Sequence, residues 1–194
     1  MELDKTYWNN RYLNDDARWN IGYPSTPLKT YIDQLEDKTI RILVPGAGNA
    51  YEVEYLWQQG FTNVYLLDFS EKALQNFKER VPDFPNNQLV LGDFFEHEAH
   101  YDLILEQTFF CAIHPILRKA YAEKMRHLLT KDGKLVGLLF DAPLNTDHPP
   151  FGGDKEEYLN YFESLFDILS FDLSYNSIAA RGERELFIRL SPKK

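Results

Sequence analysis

The chain is expected to fold as one α/β domain, Rossmann-like, with a seven-stranded, mostly parallel sheet, an antiparallel last strand and helices on both faces. Three observations predict it. Short apolar runs alternate with segments of helical period along most of the chain. The first run breaks into Pro45-Gly46-Ala47-Gly48 and the next ends on an acid, Asp68. The last two runs follow one another with no helical segment between them, as in a hairpin.

Taken in order, residues 1–37 form an arm rich in aromatics, with Trp8, Tyr12, Trp19 and Tyr23 crowded ahead of the first strand. Within it Leu28, Tyr31, Ile32 and Leu35 recur at helical spacing and predict a helix packed on the sheet. The core is expected over 38–194. Arg41 to Val44 reads as a buried strand, Tyr51 to Gly60 as a helix with Val53, Leu56 and Trp57 inward, and Val64 to Leu67 as the second strand. Ser70 caps a helix that ends at Pro82, Gln88 to Leu91 is the third strand, and Tyr101 to Leu105 the fourth. A helix from Pro115 to Leu129 turns at Asp132-Gly133 into the strand Lys134 to Phe140. The proline- and glycine-rich segment 141–153 is a loop, followed by a helix from Asp154 to Leu165 and strands near 167–174 and 184–190.

Composition narrows the function. A length of 194 residues with 44% hydrophobic and 15% aromatic residues supports one packed core. With 30 acidic and 21 basic residues the net charge is −9, which disfavours nucleic acid and anionic membranes and favours a small-molecule partner. Cys111 is the single cysteine, no apolar run approaches the roughly 18 residues of a membrane span, and the opening MELDKTYW is too polar for a signal peptide. A monomer in a reducing cytoplasm is the expectation.

The first strand, glycine turn, helix, second strand and Asp68 make one βαβ unit of the nucleoside-binding kind. Gly46 and Gly48 let the backbone approach a ligand, the helix N-terminus offers free N–H groups, and a carboxylate about 20 residues on can accept from two ribose hydroxyls. A dinucleotide fingerprint would need glycine at Tyr51, where a bulky ring stands in the way of a pyrophosphate, so NAD and FAD are disfavoured. The spacing resembles instead the first motif of class I S-adenosylmethionine-dependent methyltransferases, with Ala50 in place of the third glycine.

Such a cofactor gives the other motifs two readings each. The aromatics of the arm are either core or a lid whose faces suit a sulfonium cation. Asp93 with Phe94 or Phe95 is either a surface turn or the adenine site at a strand's carboxyl end. Glu106, Gln107 and Thr108 are delivered to the same edge. Arg118 lies in the first turns of a helix, where a cation opposes the macrodipole; a nearby anion would rationalise it, and solvation is the plain alternative. Glu106 and Asp141 are the candidate general bases. His97 and His100 lack a second ligand cluster, so no metal is expected, and Cys111 reads as a buried, inert thiol.

Several stretches together resemble the thiopurine S-methyltransferase superfamily, its bacterial and plant thiol and halide methyltransferase branch above all. They are Trp8-x-x-x-Tyr12 with Trp19-Asn20-x-Gly22, VPGAG, LLDFSEKAL, GDFF, FFCAIHPILRKAYAEKM and HPPF, running from Trp8 to near Leu190. The resemblance implies the class I methyltransferase fold, S-adenosyl-L-methionine as cofactor with S-adenosyl-L-homocysteine as product, and a small-molecule methyl acceptor. It implies that Trp8, Tyr12 and Trp19 close over the cofactor, that Gly46, Ala47 and Gly48 hold its methionine portion, and that Asp68 with Phe69 holds the ribose. Asp93 with Phe94 would hold adenine, Thr108 would lie near the cofactor, and Arg118 near the acceptor. The sequence departs from the pattern at Tyr12, where a second tryptophan is usual, at Ala50, and at Glu106-Gln107, where the branch commonly has Asp-Tyr. A thiol, or a halide, is the expected acceptor; an oxygen or nitrogen acceptor, or a cofactor-binding module without catalysis, are the alternatives.

Overall fold

The computed structural model describes residues 2–17 and 19–194; Met1 and Arg18, which fall in the expected arm, lie outside it. Seven strands form one sheet in the order β3-β2-β1-β4-β5-β7-β6. They are β1 (Ile42–Pro45), β2 (Val64–Asp68), β3 (Leu89–Leu91), β4 (Tyr101–Gln107), β5 (Leu129–Phe140), β6 (Phe166–Leu173) and β7 (Glu185–Pro192). β1 pairs in parallel with β2 and β4, β2 with β3, and β4 with β5, while β7 runs antiparallel between β5 and β6. The order reverses beside β1, and ligands of open α/β sheets bind outside the carboxyl ends at such a switch point.

Alternation along each strand builds two cores. Leu43, Leu67, Ile104, Leu135 and Ile188 point to one face, where α5 (Arg118–Leu128) and α6 (Lys155–Phe162) supply Tyr121, Met125, Tyr158 and Phe162. Ile42, Val44, Leu66, Leu103, Leu105 and Val136 point to the other, beneath α2 (Thr26–Ile32), α3 (Tyr51–Gln58) and α4 (Glu71–Arg80). Continuous apolar runs such as Ile42-Leu43-Val44 are therefore buried on both sides, as parallel strands require. The arm divides: α2 joins the second core through fully buried Leu28 and Ile32, whereas α1 (Lys5–Leu13) buries none of its residues.

Two boundaries differ from expectation. The helix predicted from Pro115 begins as a 3₁₀ turn over Pro115–Leu117 and becomes α-helical only at Arg118. Asp132-Gly133, expected as a turn, lies within β5, which starts at Leu129 and passes a register shift opposite Tyr101 and Leu103. A Cβ at Gly133 would press on the Tyr101 carbonyl at 2.9 Å, so this glycine serves close strand approach there. Among the described residues no helix is long and apolar enough to cross a membrane.

Candidate active site

A cavity of about 780 Å³ opens along the carboxyl edge of the sheet, in the upper part of the range of small-molecule sites. The ends of β1, β2, β3, β4 and β5 each contribute to it: Gly46, Asp68, Asp93, Thr108 and Phe140. α1 and the segment after it line one side with Tyr7, Trp8, Arg11, Tyr12 and Trp19.

The turn after β1 is shaped by its glycines. Gly46 and Gly48 have φ of +56° and +54°, and a side chain at Gly46 would collide with the Phe109 ring. Ala50 is also left-handed, at φ 54°, where the resembling motif has glycine; alanine holds this conformation at a cost of about 1 kcal/mol. Thr108, at φ 58°, is a β-branched residue in the same region, where the chain leaves β4 into the cavity wall.

Asp68 is buried at the end of β2. Its Oδ2 accepts from the Gly48 amide at 2.9 Å and its Oδ1 from the Ser70 amide at 2.8 Å. The Phe69 amide also acts on this carboxylate, and with about four acceptor positions it keeps capacity for a further donor. Burial pushes this carboxyl above its ordinary range against the pull of those backbone bonds. Trp19 stands edge-on to Trp8 and Tyr12, with ring centroids 5.6 and 5.7 Å apart. On the β3 side Asp93 takes the Phe95 amide at 2.8 Å, and Phe94 packs edge-on to Phe109 at 5.2 Å. Trp8, Tyr12, Trp19, Gly46, Asp68, Phe69, Asp93, Phe94 and Thr108 thus share one cavity wall. Ala47 and Gly48 do not reach it: Ala47 packs toward the second core, and Gly48 is covered by the Tyr12 hydroxyl.

Arg118, Glu106 and Asp141 lie behind the wall rather than on it. Arg118 has its side chain 1% exposed and donates to Glu157 Oε1 and to the Gly152 carbonyl, both at 2.8 Å. The anion that relieves its position at a helix N-terminus is therefore Glu157, an internal partner, and the guanidinium fastens the segment 151–157 to α5. Glu106 is fully buried; its Oε1 accepts from the amides of Phe109 at 2.8 Å and Phe110 at 3.0 Å, and its Oε2 from the Tyr121 hydroxyl at 2.5 Å. Gly137, its register partner on β5, leaves the room that its side chain occupies. Asp141 accepts from the Lys155 amide at 3.1 Å, in the first turn of α6. Each of the three holds backbone whose neighbours shape the cavity.

Arg118→Met is accordingly expected to lower stability by about 2–3 kcal/mol, through lost bonds of a charged group to carbonyls and carboxylate. Urea titration measures this. The ratio of variant to parent activity should stay constant with pH; a ratio that falls at low pH would place the Arg118 charge on the reacting group instead.

The sequence reading missed Arg181 and Arg184, which line the cavity beyond β5. A signal was present: the last strand is antiparallel, so its first residues return to the carboxyl edge, and residues 174–184 had to fall beside the ligand. Arg181 donates to Glu185 Oε1 at 3.3 Å and to the Trp19 carbonyl at 3.1 Å, tying this connection to the aromatic arm. Arg184 is exposed at the mouth, and among the described residues its guanidinium has no partner. Cys111 lines the wall as well, donating its thiol to the Thr108 carbonyl at 3.3 Å. Burial, then the nearby Glu106 carboxylate, push that thiol up to about 12, which keeps it neutral and unreactive.

Comparison with known proteins adds the following. The thiopurine S-methyltransferase (TPMT) family model matches residues 3–186. A relative from Brassica oleracea, thiocyanate methyltransferase 1, is 30% identical over 186 residues, covering 92% of this chain and 81% of that protein. A thiopurine S-methyltransferase from Acinetobacter baylyi is 26% identical over 193 residues, covering 86% and 87%. In overall fold the chain superposes on the 1,6-didemethyltoxoflavin-N1-methyltransferase of Burkholderia thailandensis, solved with bound 1,6-didemethyltoxoflavin and S-adenosylhomocysteine, with a TM-score of 0.78 at 15% identity over 99% and 88% of the two chains.

Proposed function

The chain belongs to the thiopurine S-methyltransferase family, and from that premise we propose that it transfers the methyl group of S-adenosyl-L-methionine to the sulfur of a small thiol, or to a comparable small anion such as a halide. The observation that carries the acceptor class is the distribution of charge around the cavity. The lining carboxylates, Asp68 and Asp93, stand at the ends of β2 and β3. The connection into β7 brings the guanidinium groups of Arg181 and Arg184 to the cavity from the other end of the sheet, Arg181 meeting the aromatic arm at the Trp19 carbonyl and Arg184 exposed at the mouth, while Arg11, the lining guanidinium on α1, is paired with Asp16. Relatives named thiol methyltransferase and thiocyanate methyltransferase support a sulfur or small-anion acceptor.

The residues suit the cofactor. Asp68 lines the cavity with acceptor capacity left, the rings of Trp8, Tyr12 and Trp19 line it as aromatic surface suited to a cation, Arg11 already lying over Trp19, and Phe94 with Asp93 offers a ring and a carboxylate to an adenine. When bound, the cofactor supplies an electrophilic methyl on a sulfonium. The chain's part is to aim and to dry: the aromatic arm, Phe109 and Phe140 exclude water from the reacting line, and in-line approach needs the nucleophile about 3 Å from the methyl carbon. Arg181 and Arg184 favour the anionic form of an acceptor, and a thiol near pKa 8.5 is already partly ionised at neutral pH, roughly 3% at pH 7, so no dedicated base is required. A small soluble acceptor, a monomeric enzyme and a cytoplasmic setting go with the net charge of −9 and the single buried cysteine.

An oxygen or nitrogen acceptor would need a base, and His148, on the loop that closes the cavity, is the lining imidazole. A cofactor-consumption assay over thiols, halides, thiopurines and phenols separates the readings. The expected result is turnover of thiols that rises with pH toward each thiol's own pKa. Turnover confined to phenols or amines, and lost in His148→Ala, would overturn the sulfur assignment.

A further inference from the structure

Helix α1 carries Trp8 and Tyr12 onto the cavity, yet none of its nine residues is buried. A helix this short is marginal by itself, so its place over the cavity depends on a few specific contacts. The most telling comes from Asn9. Its Oδ1 accepts from the Lys72 amide at 3.1 Å and from the Ser70 hydroxyl at 3.2 Å, across more than sixty residues of chain. Both donors belong to the N-terminus of α4, where the first amides have no intrahelical acceptor. Ser70, the N-cap, already takes the Ala73 amide at 3.2 Å, and Asn9 takes the amide that Ser70 leaves.

The same turn holds the cofactor side of the cavity. Ser70 donates its amide to Asp68 Oδ1 at 2.8 Å, and Phe69 between them lines the wall. The other Asp68 oxygen accepts from Gly48, and Gly48 lies under the Tyr12 hydroxyl. Although Tyr12 as a whole is only half-buried, its hydroxyl is shut away from water against the turn, and this with the Asp68 charge holds it well above the ordinary range, so Tyr12 faces the carboxylate as a neutral group. Asn9 and Tyr12 are three apart on α1 and therefore neighbours on one face. Through them the helix grips the Asp68 turn on both sides, at Ser70 and at Gly48.

We propose that Asn9 is a positioning residue that latches α1 over the bound cofactor, coupling closure of the aromatic arm to the turn that presents Asp68. The proposal rests on the cofactor reading above. With the latch in place Trp8 and Tyr12 are held at the wall; without it α1 swings free, and the cofactor escapes more readily than it enters.

Three substitutions test this with S-adenosylhomocysteine as the probe. Asn9→Leu removes the acceptor oxygen, Asn9→Gln displaces it by one methylene, and Asn9→Asp keeps it aimed at a helix N-terminus, where a carboxylate is favourable. Calorimetry and stopped-flow tryptophan fluorescence should show five- to tenfold weaker binding for the leucine and glutamine variants, arising in faster release with association nearly unchanged. The aspartate variant should lie within twofold of the parent. In turnover, KM for the cofactor should rise while kcat at saturation and KM for the acceptor hold. Parent-like release in all three variants, a loss in kcat alone, or an aspartate variant as weak as leucine would each overturn the latch. Failure of the parent chain to bind S-adenosylhomocysteine would overturn the cofactor reading and the latch with it, a result the variants alone cannot produce.

Discussion

Glu106→Ala is expected to destabilise the fold by roughly 3–9 kcal/mol, since three donors lose their acceptor at once and each buried unsatisfied group costs about 1–3 kcal/mol. The donors are the Phe109 and Phe110 amides and the Tyr121 hydroxyl, all aimed at a carboxyl group with no solvent exposure. Such a loss is comparable with the whole stability of many domains, about 5–15 kcal/mol. Those bonds also hold the chain as it leaves Thr108 for the wall residues Phe109, Cys111 and Ile113. Urea-induced unfolding followed by circular dichroism measures the effect; a midpoint within error of the parent would mean that the loop is held by other contacts.

Glu106→Gln should be far milder, because an amide keeps an acceptor for the two backbone N–H groups and imitates the protonated acid. Burial raises the Glu106 carboxyl from 4.5 to about 7. Between those values the folded chain binds a proton that the unfolded chain has released, so stability falls as pH rises. The contribution is whole below about pH 4.5 and is gone once pH exceeds about 7. Glu52, Asp68 and Glu185 are displaced in the same direction, also chiefly by burial. The glutamine variant should therefore flatten part of the decline between pH 4.5 and 7, and an unchanged slope would show that Glu106 does not titrate in this window.

The second large effect is on binding. Asp68→Ala should weaken S-adenosylmethionine and S-adenosylhomocysteine by roughly 1.5–3 kcal/mol, the range for hydrogen bonds to a charged group, since the ribose would lose its acceptor. The amides of Gly48 and Ser70 lose theirs too, so part of the deficit will come from a less ordered turn. Asp68→Asn distinguishes the parts: it keeps one acceptor oxygen for the turn and offers an amide donor in place of the other. Calorimetry should rank aspartate above asparagine above alanine. Equal affinity in all three proteins would place the ribose elsewhere along the cavity.

Which parts of this were legible beforehand follows from how far each signal reaches along the chain. Hydrophobic alternation and glycine turns are local. They were enough to place seven strands, the antiparallel end and the residues at the tips of β1 to β4, because a strand's carboxyl end is marked by where its apolar run stops. The nine expected residues that line the cavity were all reached in this way or through the family resemblance, since each lies at a strand tip or in the aromatic arm.

The sequence could not say which polar residues face the cavity and which stand behind it. Glu106 is the last but one residue of β4, two before the left-handed Thr108, and it points to the Ile104 face of the sheet, where the packing of α5 sets Tyr121 against its carboxylate. Arg118 has the same history: its odd place at a helix start was visible, but the identity of the compensating anion, Glu157, depends on α6 packing beside α5. Asn9 gave no signal at all, because its partners lie more than sixty residues away. Composition, periodicity and the glycine turn determined the fold, and the resemblance of its motifs pointed to the family and to the residues expected to line the cavity. Only the tertiary structure decided the partners of Glu106, Arg118, Arg181 and Asn9, because packing between distant elements sets where a side chain points and what it bonds.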